Sequence, residues 1–162
     1  MTLETVVLVV AGTLTGLLAG VFFAFNVAVV PSLLSINGKA HIAAMQAINV
    51  KIINPIFMLS FLGPIGLLPL AAFLYRDGTA FPYLVAAAVL HIVGAVGVTG
   101  VGNVPLNDKL AKVDINAISE AEADKVRLEY QGAGSAWMRW HNVRTVTSIA
   151  ATALVFVACL VR

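Results

Sequence analysis

The composition of this 162-residue chain excludes most classes of soluble protein. Hydrophobic residues make up 60% of the chain and charged residues only 11%, against about 25% charged in an ordinary soluble domain. We therefore expect one integral membrane domain over residues 1–162. The net charge of +2, with no basic stripe, argues against a nucleic-acid partner. Cys159 is the single cysteine, so an internal disulfide and a paired-thiol redox site are excluded.

Four apolar segments are long enough to cross a bilayer, whose hydrocarbon core of about 30 Å requires about 20 residues of helix. Backbone groups in lipid must be bonded internally, so the segments should be helical. The first segment lacks a basic start and is longer than the apolar part of a signal peptide, so we expect it to be retained. The sequence predicts an all-α four-helix membrane bundle with spans at residues 5–30, 52–75, 81–102 and 143–161.

The distribution of positive charge predicts the orientation of the bundle. Four spans place both termini and the 76–80 turn on one side, which carries only Arg76 and Arg162. The 31–51 and 103–142 connections on the other side carry the remaining Lys and Arg residues except Arg144, which lies at their boundary, so that side should be cytoplasmic and both termini should lie outside.

Two further helices are predicted in the cytoplasmic connections. Ile42, Met45 and Ile48 recur at helical spacing, which indicates a short interfacial helix over 39–51. In the long third loop, Ser119 followed by Glu122 forms a capping-box pattern that opens an interfacial or soluble helix reaching about Tyr130.

Within the spans, small and polar residues indicate packing or function. Gly12, Gly16 and Gly20 make one smooth face of the first span, which would pack on another span or on a second copy of the chain. Pro64 in the second span predicts a kink. His91 lies near the middle of the third span, where it is either a functional group or a neutral ring bonded to a carbonyl.

The cytoplasmic end of the bundle collects amide, aromatic and charged side chains from all four helices. Each would be costly there without a partner, so we expect a polar pocket. The alternative is a set of unrelated roles, as interfacial tryptophans, helix caps and a snorkelling arginine. The residues are Asn26, Gln46, Asn49, Asn54, Asn103, Asn107, Trp137, Trp140, His141, Asn142 and Arg144.

Several stretches together resemble the anthrone-oxygenase-like family of small four-span membrane proteins. The most specific is Asn103-Val104-Pro105-Leu106-Asn107, followed by the run from Trp137 and Trp140 into Asn142 and Arg144. The resemblance also takes in residues 22–25 with Pro31, and residues 46–55, so it covers nearly the whole chain. It implies a membrane oxygenase or oxidase that acts on an apolar aromatic, anthrone-like or quinone-like molecule, with dioxygen as co-substrate and no other cofactor.

The implied reaction requires a base, donors for an oxyanion and an apolar slot for the rings. On spacing and resemblance together, His141 would be the base, with His91 as its competitor, and Arg144 would hold the oxyanion. Asn103 and Asn107 would orient it, and Trp137 and Trp140 would stack on a flat polycycle. Gln46, Asn49, Asn54 and Asn142 complete the expected binding set.

Other chemistries have weaker support in the sequence. No span carries a carboxylate-rich or Glu-x-x-His pattern, so we expect no metal site, although His41 and His141 would share an ion if the two connections met. The remaining alternative is a non-catalytic protein, either a small-molecule binder or carrier, or a structural subunit of a membrane assembly.

Overall fold

The computed structural model describes residues 2–162, which form six helices. In chain order they are α1, Leu3–Leu34; α2, Gly38–Lys51; α3, Pro55–Leu74; α4, Phe81–Ala111; α5, Glu120–Gln131; and α6, Ala136–Val161. Four of them, α1, α3, α4 and α6, are long and apolar enough to cross a membrane. The all-α membrane bundle predicted from the sequence is confirmed.

Three of the four long helices begin at a residue whose side chain caps the helix. The Thr2 side chain accepts from the Thr5 amide, and the Asn54 side chain accepts from the amides of residues 56 and 57 at the start of α3. Ser135 caps α6 in the same way. Since a cap satisfies amides that have no partner inside the helix, each fixes a start without tertiary help.

Three spans extend beyond the apolar segments. Helix α6 starts at Ala136, before the predicted 143–161 segment, and α4 continues to Ala111, beyond the predicted 81–102 segment. Hydropathy marks only the part of a helix that lies in lipid, whereas backbone bonding continues as long as the exposed turns find packing partners. The extensions pack on α2 and α5 around Ile42, Met45 and Tyr130.

Both helices predicted outside the spans are confirmed. The first runs over Gly38–Lys51, and the second opens at Ser119 with the full capping box, in which the Ser119 and Glu122 side chains bond each other's backbone amides. Together with the extended ends of α1, α4 and α6 they form a second layer, which we call the polar end. Pro64 lies inside α3, which remains one continuous helix.

Two helices contain π turns at the level where the bundle meets the polar end. These are Phe25–Val29 in α1 and Thr99–Asn103 in α4, and a third π turn, Leu90–Gly97, lies deeper in α4. A π turn widens a helix by one residue and redirects the side chains on it, and such turns are frequent at functional sites.

Candidate functional site

A cavity of about 220 Å³ lies between the bundle and the polar end. It is smaller than pockets for drug-sized ligands, which start at about 300 Å³, so its volume suits a small molecule. Most of the wall is aliphatic or aromatic. Its polar side chains are Asn49, Thr99, Asn107 and Arg144; Trp137 also lines it, and the remaining residues are Val21, Phe22, Phe25, Met45, Ile48, Ile52, Ile53, Phe57, Met58, Phe61 and Val104.

Arg144 is the charged group of the cavity wall. The residue is only 8% exposed, and none of the ion pairs formed by residues 2–162 includes it. Its Nε donates to Nδ1 of His141 at 3.0 Å, and Nη1 donates to Oγ1 of Thr99 at 3.3 Å. A buried cation without a counter-ion is costly, which makes the wall attractive to an anion.

Two aromatic faces hold the guanidinium in place. The Arg144 Cζ lies 4.4 Å from the ring centroid of Phe22 and 5.4 Å from that of Trp137. Such contacts stabilise a cation by about 0.5–2 kcal/mol, and more strongly where water is excluded. They offset part of the desolvation cost of Arg144 and fix the plane in which it offers its remaining N–H groups.

His141 lies behind the wall and does not line the cavity. Its ring is fully buried and stacks on Trp137, with centroids 4.8 Å apart and planes 20° apart. Because the Arg144 Nε can only donate, Nδ1 of His141 must accept, so the ring is neutral and its proton is on Nε2. The structure therefore brings His141 and Arg144 together, with the histidine lone pair directed at the arginine.

Asn103 and Asn107 orient Trp137 from two sides. Oδ1 of Asn107 accepts from Nε1 of Trp137 at 2.8 Å and from the Tyr130 hydroxyl at 2.6 Å. The fully buried Asn103 donates from Nδ2 to the carbonyl of Trp137 at 3.1 Å. Asn107 thus holds the Trp137 ring that supports the guanidinium, and Asn103 holds the main chain of the same residue.

Two other predicted amides bond to the backbone outside the cavity. The Asn54 side chain caps the α2–α3 junction. Its Oδ1 accepts from the amides of Ile56 and Phe57, and its Nδ2 donates to the carbonyl of Lys51. Nε2 of Gln46 donates to the carbonyls of Leu110 and Val113 at 2.8 and 2.9 Å, which satisfies the end of α4.

Three further predicted residues lie away from the cavity. Nε2 of the buried His91 donates to the carbonyl of Phe61 at 3.0 Å, deeper in the bundle. Trp140 and Asn142 lie on the exposed side of α6. There the Trp140 ring covers Gly102 so closely that a Cβ on that glycine would come within 2.5 Å of it.

The two histidines considered for a shared metal are bonded separately. Nδ1 of His41 lies 3.1 Å from the carbonyl of Leu33, whereas Nδ1 of His141 faces Arg144. Over residues 2–162, no group of three or more His, Cys, Asp or Glu side chains is arranged to hold a metal ion.

Sequence reasoning missed the aromatic and hydroxyl parts of the wall. Phe57 and Phe61, stacked with centroids 5.7 Å apart, line it from α3, and their i, i+4 spacing was a signal that they share a face. Thr99 had no such signal. A threonine hydroxyl in a membrane helix usually bonds to the backbone of its own helix, and Thr99 donates in this way to the carbonyl of Ala95 at 2.7 Å. Its other contact, with Arg144, depends on the π turn.

Comparison with models of known protein families identifies a match. The family model described as anthrone oxygenase matches residues 57–154, more than half of the chain. The matched stretch includes Arg144, Trp137, both asparagines of the Asn-Val-Pro-Leu-Asn run and all but the first two residues of α3. No curated protein and no solved structure matches the chain.

Proposed function

This chain belongs to the anthrone oxygenase family, and on that premise we propose that it binds a flat aromatic molecule with an ionisable oxygen in the cavity and promotes its oxidation by dioxygen. The observation that carries the proposal is the unpaired guanidinium of Arg144 in an otherwise apolar, aromatic wall. An anthrone enolate or phenolate has both features that this wall complements, flat rings and one negative oxygen.

Arg144 favours the reactive form of such a molecule. An anthrone is oxidised only slowly as the ketone, and loss of a proton from the methylene carbon across the central ring from the carbonyl gives an electron-rich, enolate-type anion. A fixed guanidinium donates to the enolate oxygen more strongly than to the neutral carbonyl, so it lowers the free energy of ionisation. The aromatic side chains Phe22, Trp137 and Phe57 would pack on the rings.

The overall reaction balances with dioxygen alone. The methylene carbon of the anthrone loses two hydrogens and gains one oxygen atom, a four-electron oxidation to the second carbonyl of an anthraquinone. Dioxygen takes up the four electrons, giving that carbonyl oxygen and one water. The enolate supplies the first electron to dioxygen, so the role of the wall is to bind the anion.

The proton that the substrate loses has no acceptor among the wall side chains, which include no Asp, Glu or His. We therefore assign Arg144 the role of binding the substrate anion and His141 the role of positioning Arg144, with the proton passing to solvent. This same feature supports a second candidate, a binder or carrier of aromatic anions that catalyses nothing.

The test is oxygen uptake and anthraquinone formation from anthrone by the purified protein in lipid nanodiscs. We expect one anthraquinone per dioxygen at a rate above the protein-free background, and a rate at background for Arg144→Met. Arg139→Met is the matched control, because Arg139 is exposed on the same helix, and it should keep the full rate. Equal rates for wild type and Arg144→Met would overturn the oxygenase proposal. Arg144-dependent binding without turnover would favour the carrier.

A further inference from the structure

The exposure of the lining residues indicates where the cavity opens, between the residues just before α3 and the last third of α4. Among the lining residues only Ile53, 71% exposed, and Val104, 42% exposed, belong to the exposed class; the rest of the wall is buried or half-buried. Ile53 precedes α3 by two positions, and Val104 follows the Thr99–Asn103 π turn. We call this opening the lateral mouth.

The helix packing explains the gap. The α3 helix packs along α4 over Phe81–Val89 and the Leu90–Gly97 turn. The Thr99–Asn103 turn instead packs mainly on α6. The two helices therefore diverge toward the polar end, and the lateral mouth lies where their side chains no longer meet.

The lateral mouth is bordered by aliphatic side chains. Val50 and Ile56 on the α3 side, and Val101 on the α4 side, are all strongly exposed. Exposed aliphatic residues clustered around an opening are typical of a surface covered by an apolar phase. Charged residues begin just beyond, with Lys51 and Asp108 on the side of the polar end.

The depth of the lateral mouth coincides with a bilayer boundary. Helix α3 has 20 residues, which at about 1.5 Å per residue cover about 30 Å, the thickness of the hydrocarbon core. Leu74 marks one boundary, followed by Arg76, so Ile53 lies at the other. An opening at this depth, with aliphatic borders, faces the acyl chains just below the headgroups.

We propose that the aromatic ligand enters and leaves the cavity sideways, from the bilayer through the lateral mouth between Ile53 and Val104. The protein then draws its ligand from the pool dissolved in the membrane. Inside, the ligand meets the Arg144 guanidinium, which holds its oxygen, with the rings toward the mouth. This inference rests on the proposed binding of an aromatic anion and adds the source and path of that ligand.

The experiment closes the mouth reversibly. Ile53→Cys and Val104→Cys are introduced in a Cys159→Ser background, and the protein is reconstituted in vesicles. The two thiols are then joined with a thiol-specific crosslinker that reduction cleaves. Binding of alizarin, a hydroxyanthraquinone, is followed by stopped-flow absorbance. Crosslinking should slow association and dissociation by the same factor, on the order of tenfold, and reduction of the crosslinker should restore both rates.

A second variant keeps the test independent of crosslinking. Val104→Trp should narrow the lateral mouth and slow both association and dissociation, since position 104 is an exposed residue of the cavity lining. Val27→Trp is the matched control, because Val27 is exposed in the Phe25–Val29 turn of α1, at the level of the Thr99–Asn103 turn, but does not line the cavity. It should leave both rates unchanged.

Varying the lipid-to-protein ratio separates the two sources of ligand. The association rate should follow the mole fraction of alizarin in the lipid, not its aqueous concentration. Rates that are unchanged by crosslinking, or that follow the aqueous concentration, overturn the lateral path even if Arg144-dependent binding is observed. Absence of Arg144-dependent alizarin binding would overturn the proposed function together with the path.

Discussion

Nε of Arg144 donates to Nδ1 of His141 at 3.0 Å, and this single bond determines the role of both side chains. The lone pair that a general base would use is already occupied by the arginine. The imidazole is held flat against Trp137, which is itself fixed by Asn107. The histidine thereby sets the rotamer of the arginine, and the arginine presents its remaining donors to the cavity.

This bond predicts different results for two substitutions of His141. His141→Asn places an amide oxygen near the position of Nδ1, so it should keep the bond to Arg144 and most of the alizarin affinity. His141→Phe keeps the stacking on Trp137 but removes the acceptor, and it should weaken binding about tenfold or more, corresponding to one lost charge-assisted hydrogen bond. Equilibrium titration of each variant measures the difference.

The same variants distinguish a positioning residue from a base. If His141 were the base, asparagine could not replace it, and both variants would lose kcat with little change in KM. Recovery of anthrone oxidation in His141→Asn would support positioning. Loss of turnover in both, with alizarin affinity intact, would return His141 to the role of base.

Packing of α4 on α6 predicts opposite effects for two nearby glycines. A Cβ at Gly102 would come within 2.5 Å of the Trp140 ring, whereas a Cβ at Gly100 would meet nothing within 4 Å. Gly102→Ala should therefore destabilise the fold by about 1–3 kcal/mol. Gly100→Ala should leave the melting temperature unchanged or raise it slightly, because alanine is the better helix former. Thermal unfolding in detergent compares the two, and equal melting temperatures would contradict the packing.

Stability should fall in mild acid because of His41. This ring is buried in α2, and burial lowers its pKa below the ordinary 6.5, an effect that the nearby positive charge of Arg127 increases. As the pH drops below about 6.5, His41 binds a proton in the unfolded chain but not in the folded protein. Unfolding therefore becomes more favourable until the pH reaches the lowered pKa of the folded ring.

His41→Asn tests this assignment. The asparagine Nδ2 can keep the bond to the Leu33 carbonyl that Nδ1 of His41 makes at 3.1 Å, but it does not titrate. The melting temperature of wild type should drop between about pH 7.5 and about pH 5.5, and the drop should be smaller in His41→Asn. Parallel pH profiles would exclude His41 as the source.

The orientation that the charge distribution predicts can be measured with single cysteines in the Cys159→Ser background. Asp77 lies exposed in the short α3–α4 turn, and Lys112 is exposed at the end of α4. In intact cells an impermeant maleimide should label Asp77→Cys but not Lys112→Cys until the membrane is opened. The reverse pattern would invert the orientation, and equal labelling would contradict a four-span topology.

The fold could be predicted from the sequence because its signals are local. The apolar length of each span, the Ser119–Glu122 capping box and the spacing of Ile42 and Met45 all act within a few residues of chain. The helix ends were less predictable, since the turns from Ala136 onward are stabilised by contacts with other helices. The hydropathy of the sequence does not predict those contacts.

The candidate site was predictable in outline only. The register of α6 directs Trp137 and Arg144 inward, and that same register turns Trp140 and Asn142 outward. Gln46, by contrast, could not be placed. Whether a buried amide faces a ligand or a main-chain carbonyl depends on where α4 ends, and here it bonds Leu110 and Val113.

Replacing Arg144 should separate stability from binding. Arg144→Met removes a buried charge without a counter-ion while keeping the bulk of the side chain, so the melting temperature should not fall. Alizarin affinity should drop by about one to two orders of magnitude with the lost charged hydrogen bonds. Thermal unfolding and titration of the same preparation give both values. A large loss of stability would instead indicate a structural arginine.

The most direct test is the visible absorption spectrum of alizarin bound to the protein, because alizarin changes colour when its phenol ionises. At a pH where free alizarin is neutral, wild-type protein should bind it as the anion, and the spectrum should shift accordingly. Arg144→Met should lose that shift, and Arg139→Met should keep it. Bound alizarin that remains neutral in wild type, or that ionises equally in Arg144→Met, would contradict the claim that Arg144 holds an aromatic anion.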